Sequence, residues 1–187
     1  MVSGGAGRDR LPWNQRLGLG DRLKLSLLIT LILIIVLALS SLIPLSSEEA
    51  QSILRQVEEL FGDKITFMDI WMNNLLIALL MHIPFIGPGI GGFAIIQTGR
   101  VFGALAAQTG VSSILFILIA ILAIYGLVEF LAYGVAFTEG VLLSYSIVKK
   151  SLRSELTWVP VSLGISIGLL LAAALLEALL IQLFQPI

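Results

Sequence analysis

A few groups able to do chemistry lie inside strongly apolar sequence: Asn73, Asn74, Arg100, Glu129, Glu139 and Glu177. Around Glu129 the spacing puts Tyr125, Glu129 and Tyr133 on one face of an unbroken helix. Gly126 stands one turn before Glu129 and would let a second helix approach closely. A carboxylate in an apolar medium has to be neutralised, hydrogen-bonded or paired with a cation. Arg100 is the one cation this reading places deep in apolar sequence, and Asn73 and Asn74 offer amide donors. Glu129 is therefore expected to meet Asn73, Asn74 or Arg100. Three roles are open to it: glue between helices, a proton or ion relay, or recognition of a partner. On a straight helix Glu139 is turned from Glu129 by roughly 80° and displaced by about 15 Å, so only a sharp break would make the two a catalytic dyad. Glu139 and Glu177 are secondary candidates that either snorkel or face a cavity. His82, near the end of an apolar run, reads as an interfacial residue rather than a proton switch.

The surroundings of these groups are those of a membrane protein. Of the 187 residues, 58% are hydrophobic and 12% charged. The charged share is about half that of soluble domains. Mean hydropathy is +1.03. A net charge of −1 gives no basic surface for nucleic acid. The sequence has no cysteine and a single histidine, which excludes disulfides and thiolate metal sites and argues against a histidine-rich metal centre. No cofactor is expected. Nucleotide-binding and metalloprotease motifs are absent, "GPGIGG" lacks the Lys–Ser/Thr ending of a P-loop, and no His–Asp set supports a nucleophilic serine.

The elements that must hold these groups follow from the apolar runs. Residues 1–24 read as a cytoplasmic N-terminal segment, with Trp13 and "RLGLGDRLKLS" on the inner membrane surface. Residues 25–187 read as one transmembrane helical domain. The first helix is expected from Leu25 to Leu45, retained rather than cleaved as a signal. Ser46 with Glu49 forms a capping box, and Gly62 is a plausible stop. Between them Ala50, Ile53, Leu54, Val57, Leu60 and Phe61 share a face, so a short amphipathic helix lies outside the membrane. That face either rests on the bundle or docks a partner. A second helix runs from Phe67 to Ile83, then "IPFIGPGIGGF" reads as a tight turn, followed by a segment over Gly89–Ala107 and a last helix over Val159–Phe184. "GRVFG" (Gly99–Gly103) and "GISIG" (Gly164–Gly168) carry the spacing for close helix contact.

Residues 111–148 form an apolar stretch that would be about 57 Å long as one helix, against a hydrocarbon core of about 30 Å. It must be broken or re-entrant, with a bend expected near Gly126 or Gly134. Lys149, Lys150 and Arg153 follow it and prefer the cytoplasm. The fold predicted is thus an all-α bundle with about five net crossings, the N-terminus cytoplasmic and the C-terminus outside. If Arg100 marks a cytoplasmic end, the segment holding it is itself re-entrant and the count changes.

"FMDIWMNNLLIALLM" resembles the signature of the stage II sporulation protein M family, with Asn73, Asn74, Ala78 and Leu79 matching its N–N–x–x–x–A–L pattern. The Gly/Pro stretch "IGPGIGG" and the spaced glycines of "TGRVFGALAA" follow in the family's order. "YGLVE" then matches its His–Gly–x–x–Glu pattern at Gly126 and Glu129, with Tyr125 in place of the histidine. The resemblance covers about Phe67 to Leu143. It implies a multipass cell-membrane protein without established enzymatic activity. The family's named member acts in engulfment beside peptidoglycan-degrading partners, and some relatives are suspected of association with export systems. The expectation is a non-enzymatic scaffold that contacts membrane lipid and protein partners in the membrane or envelope, with a homo-oligomer allowed. The rival is a permease or channel-like subunit with Glu129, Glu139 and Arg100 along its path. Third comes an intramembrane enzyme, which would need a metal or closely paired carboxylates.

Overall fold

A computed structural model of the chain describes residues 17–61 and 66–184. Trp13 and the stop expected at Gly62 lie outside the described residues. Helix α1 spans Leu19–Ser41, α2 Ser47–Phe61, α3 Phe67–Met81, α4 Ile86–Thr109, α5 Ser113–Leu122, α6 Tyr125–Val148, α7 Leu152–Glu155 and α8 Val159–Phe184. There is no strand among the described residues. Four stretches among them are long and apolar enough to cross a membrane: Leu19–Ser41, Ile86–Thr109, Tyr125–Val148 and Leu152–Leu180. The chain is an all-α helical bundle, and its composition is that of a membrane protein. Helices α3 and α5 are apolar but short, about 22 Å and 15 Å at 1.5 Å per residue.

Helix α6 is the axis of the bundle and packs against α1, α3, α4, α5, α7 and α8. It runs antiparallel to α1. Arg22 meets Glu139, the Thr30 hydroxyl donates to the Phe130 carbonyl at 3.2 Å, and Gly134 lies against Ser26 and Thr30. A side chain at Gly134 would collide with the Thr30 hydroxyl and with the Ser26 carbonyl, which a Cβ would meet at 2.6 Å. Helix α8 is also antiparallel to α6, with the Ser166 hydroxyl donating to the Ala132 carbonyl at 3.3 Å. The start of α1, the end of α6 and the start of α8 therefore share one end of the bundle. The α3–α4 turn joins them there, because the Phe85 amide donates to the Ser144 hydroxyl at 2.7 Å. Gly99 and Gly103 let α4 close on Leu37, Ser40 and Ser41 of α1, so "GRVFG" serves packing within the chain. "GISIG" does not: a Cβ at Gly164 or Gly168 would meet nothing within 4 Å.

Several boundaries differ from expectation, each for a local reason. Helix α1 starts at Leu19 rather than Leu25, because the charged residues Asp21, Arg22 and Lys24 continue its first turns. The span expected to be cytoplasmic thus contributes Arg22 to the bundle interior. The glycines and Pro88 of "IPFIGPGIGGF" belong mostly to α4, and only residues 82–85 form the turn. Proline is tolerated there because it sits in the first helical turn, where amides lack intrahelical partners. The 111–148 stretch is broken, as its length requires, near Gly126 as expected and not at Gly134; the residue that turns is Ile124. Ile124 has φ 70° and the Tyr125 amide turns back to the Ala123 carbonyl at 2.8 Å. Phe85 repeats this before α4, with φ 64° and the Ile86 amide reaching the Pro84 carbonyl at 2.7 Å. A β-branched residue at positive φ is strained.

Helix α2 begins with the capping box: the Ser46 amide donates to Glu49 Oε2 at 2.8 Å and the Glu49 amide to Ser46 Oγ at 3.2 Å. The Ser46 amide, followed by the Ser46 hydroxyl, holds the Glu49 carboxyl below its usual range, with Arg100 adding a smaller attraction. The apolar face of α2 rests on α4, with Ala50 buried and Ile53, Leu54 and Val57 half-buried. Leu60, at the far end of the stripe, stays exposed. A second box, unread in the sequence, opens α3: Thr66 Oγ1 accepts from the Asp69 amide and the Thr66 amide donates to Asp69 Oδ2.

Candidate functional site: two carboxylate sites on one helix

Helix α6 carries two glutamates ten residues apart, Glu129 in its second turn and Glu139 past its middle, and each has a second glutamate nearby. At the end shared with the α1 start, Arg22 Nη1 lies 3.2 Å from Glu139 Oε2 and 2.7 Å from Glu155 Oε1. The three side chains are 7%, 4% and 1% exposed. The Trp158 ring lies 4.5 Å from the Arg22 guanidinium carbon, a cation–π contact. One guanidinium thus ties α1, α6 and the α7–α8 junction together. An arginine suits this task, since its planar fork offers five donors. A cavity of about 20 Å³ beside it, one water in size, is lined by Ser26, Thr138, Glu139 and Ser162. Glu139 Oε1 and Thr138 Oγ1 are buried without a hydrogen-bond partner among the described residues.

Toward the other end of α6, Tyr133 follows Glu129 by one turn on the same helix face, close enough for the two side chains to act on each other electrostatically. Glu177 of α8 is close enough to act on Glu129 in the same way. Both carboxylates, half-buried, line a cavity of about 380 Å³ with Thr98, Phe102, Tyr125 and Phe130. The cavity lies at the α5–α6 break. Gly126 is needed there, because a Cβ would meet the Ala120 carbonyl oxygen at 2.6 Å. The close approach expected at Gly126 comes from the preceding helix of the same broken element, not from a separate crossing.

The partners expected for Glu129 are elsewhere. Asn73 Nδ2 donates to Asn74 Oδ1 at 3.2 Å, with Asn73 exposed and Asn74 half-buried. Arg100 is half-buried on the face of α4 that acts on Glu49, and it does not line the cavity. Tyr133 replaces them because it sits on the same helix face, a spacing visible in the sequence. His82 is buried, its Nδ1 2.7 Å from the Ala78 carbonyl, within the α3–α4 turn. Glu139, a secondary candidate, belongs to the most buried charge cluster described. Arg22 and Glu155 were missed. Arg22 sits among flanking charges that read as interfacial, and Glu155 follows the basic group Lys149, Lys150 and Arg153. A signal was present: Arg22, Ser26 and Thr30 form a polar i, i+4 stripe at the start of an apolar helix. No family model, curated protein or solved structure matches the chain.

Proposed function

We propose that the chain is a non-enzymatic multipass membrane scaffold, of the kind implied by its resemblance to the stage II sporulation protein M family. The observation that carries this reading is the closed Arg22–Glu139–Glu155 cluster. Its three charges join three parts of the bundle and are shielded almost completely. The cavity beside it and the cavity at Glu129 share no lining residue. Between them α1 and α6 are in contact through Gly134, Ser26 and Thr30. That packing supports a fixed body more than a conducting path. The helix directions support five passes, with α3 and the broken α5–α6 element each counted once. Lys149, Lys150 and Arg153 share the end where α1 starts, which supports a cytoplasmic N-terminus. The C-terminus is then outside, and α2 with its exposed Glu48, Glu49, Glu58 and Glu59 faces envelope partners.

The test is flux. Purified chain in liposomes loaded with a pH-sensitive dye should pass protons and alkali cations no faster than protein-free liposomes, and Glu129→Gln should leave that result unchanged. Flux carried by the wild type and abolished in Glu129→Gln would replace the scaffold with the permease reading.

A further inference from the structure

The cavity at the α5–α6 break has the chemistry of a ligand site. Its volume of about 380 Å³ falls within the range of small-molecule pockets, roughly 300–1,000 Å³. The walls are mainly apolar and aromatic, from Phe102, Phe130, Tyr125 and the aliphatic residues of α5. Into this apolar volume project two carboxylates, Glu129 and Glu177, and no basic side chain lines it among the described residues. Two carboxylates in a low-dielectric space repel each other, and a cation bound between them relieves both that repulsion and the cost of burying their charge. The other end of α6 provides the comparison. Where Arg22 stands between Glu139 and Glu155, the bundle closes to a space of about 20 Å³.

The geometry points to an organic ammonium ion with an apolar body as the ligand of this cavity. The ammonium donates to Glu129 and Glu177, and the hydrocarbon part packs against Phe102 and Phe130. A bare metal ion fits less well. Calcium takes six to eight oxygen ligands at about 2.3–2.6 Å, and the polar groups here are few within a large apolar volume. Aromatic faces favour an organic cation further, since a cation over a ring is stabilised by the ring quadrupole. The positive φ of Ile124 is part of the same construction, because the break it makes opens the space between α5 and α6. Two sources offer this chemistry: a free lipophilic amine, or the ethanolamine head group of a phospholipid.

The probe is 4-phenylbutylammonium, with 4-phenylbutanol as its uncharged counterpart, titrated onto the full chain in phosphatidylcholine nanodiscs. Saturable binding of the ammonium, at least tenfold tighter than of the alcohol, is expected. Glu129→Gln and Glu177→Gln should each weaken it at least tenfold. Glu177→Gln guards against a Glu129 change that perturbs folding, and circular dichroism with size exclusion checks both variants. Phosphatidylethanolamine added to the nanodiscs distinguishes the sources. Competition with the probe identifies the head group, and its absence identifies a free amine. Equal binding of ammonium and alcohol, no saturable binding, or binding unchanged in both folded variants would overturn the proposal.

Discussion

Two sites on α6 each bring two glutamates together, and among the described residues only the one at Glu139 includes a cation. At the Glu139 end Arg22 neutralises charge, and the helices close around it. Around Glu129 the nearest polar group on the same helix face is Tyr133, one turn on, and a cavity of about 380 Å³ remains. Charge pairing here is coupled to packing. Where Arg22 pairs with Glu139 and Glu155 the space left is about 20 Å³; where Glu129 and Glu177 share a lining with no basic residue among the described ones, it is about 380 Å³. The same helix therefore carries a structural clamp and a candidate binding site, built from the same residue type.

The largest way to break this comparison is to remove the cation. Arg22→Met leaves Glu139 and Glu155 buried beside an apolar side chain, and should destabilise the protein by about 3–5 kcal/mol. Thermal unfolding in detergent would report it. Adding Glu139→Gln and Glu155→Gln should recover part of the loss, because a neutral cluster no longer buries uncompensated charge. No recovery would mean that Arg22 acts through packing on Trp158 rather than through the carboxylates.

The next effect concerns packing along α6. Gly140 faces the Met81 carbonyl, with Pro88 Cδ 3.5 Å from where a Cβ would stand. Gly140→Val should cost about 1–3 kcal/mol through overpacking. Gly164→Ala, with nothing within 4 Å, should leave the melting temperature unchanged or slightly raised. Equal effects at the two positions would contradict the packing described for α6.

The smallest effect is a pH dependence of α2. Glu49 is depressed in the folded chain by its bonds to Ser46, so its contribution is present above the ordinary value of 4.5. It is lost as pH falls through the lower, folded value. Amide hydrogen exchange should show the first turn of α2 better protected at pH 7 than at pH 3, after correction for intrinsic rates. Glu49→Gln should remove most of that difference.

Much of the architecture was legible from periodicity and length. The last helix, the capping box of α2 and the need for a break within 111–148 follow from apolar runs, cap chemistry and membrane thickness. The break falls near Gly126, one of the two places expected, but the residue that takes the turn was less accessible. Glycine marks permissive backbone, yet the positive φ falls on Ile124, and Gly126 serves the close approach that follows. The site was half legible. Tyr125, Gly126 and Glu129 were found by spacing, and Glu177 as a secondary candidate. Arg22 was hidden because a charge at the start of a helix reads as a flank, and only its pairing with residues 117 positions away, at Glu139, draws it inside. The pairing itself leaves no trace in the sequence; the polar i, i+4 stripe of Arg22, Ser26 and Thr30 marks a buried face but not its partner. Glu139 looked ordinary for the same reason.

The difference between the two ends of α6 can be measured on one scale. The sequence contains no cysteine, so a single introduced thiol reports alone. Thr98→Cys, in the Glu129 cavity, and Ser162→Cys, beside the Arg22 cluster, can each be treated in nanodiscs with the cationic reagent 2-aminoethyl methanethiosulfonate. Thr98→Cys should react at least tenfold faster than Ser162→Cys, and adding Glu129→Gln should slow it. Equal rates at the two positions, or faster reaction at position 162, would contradict an open carboxylate cavity at one end and a closed clamp at the other.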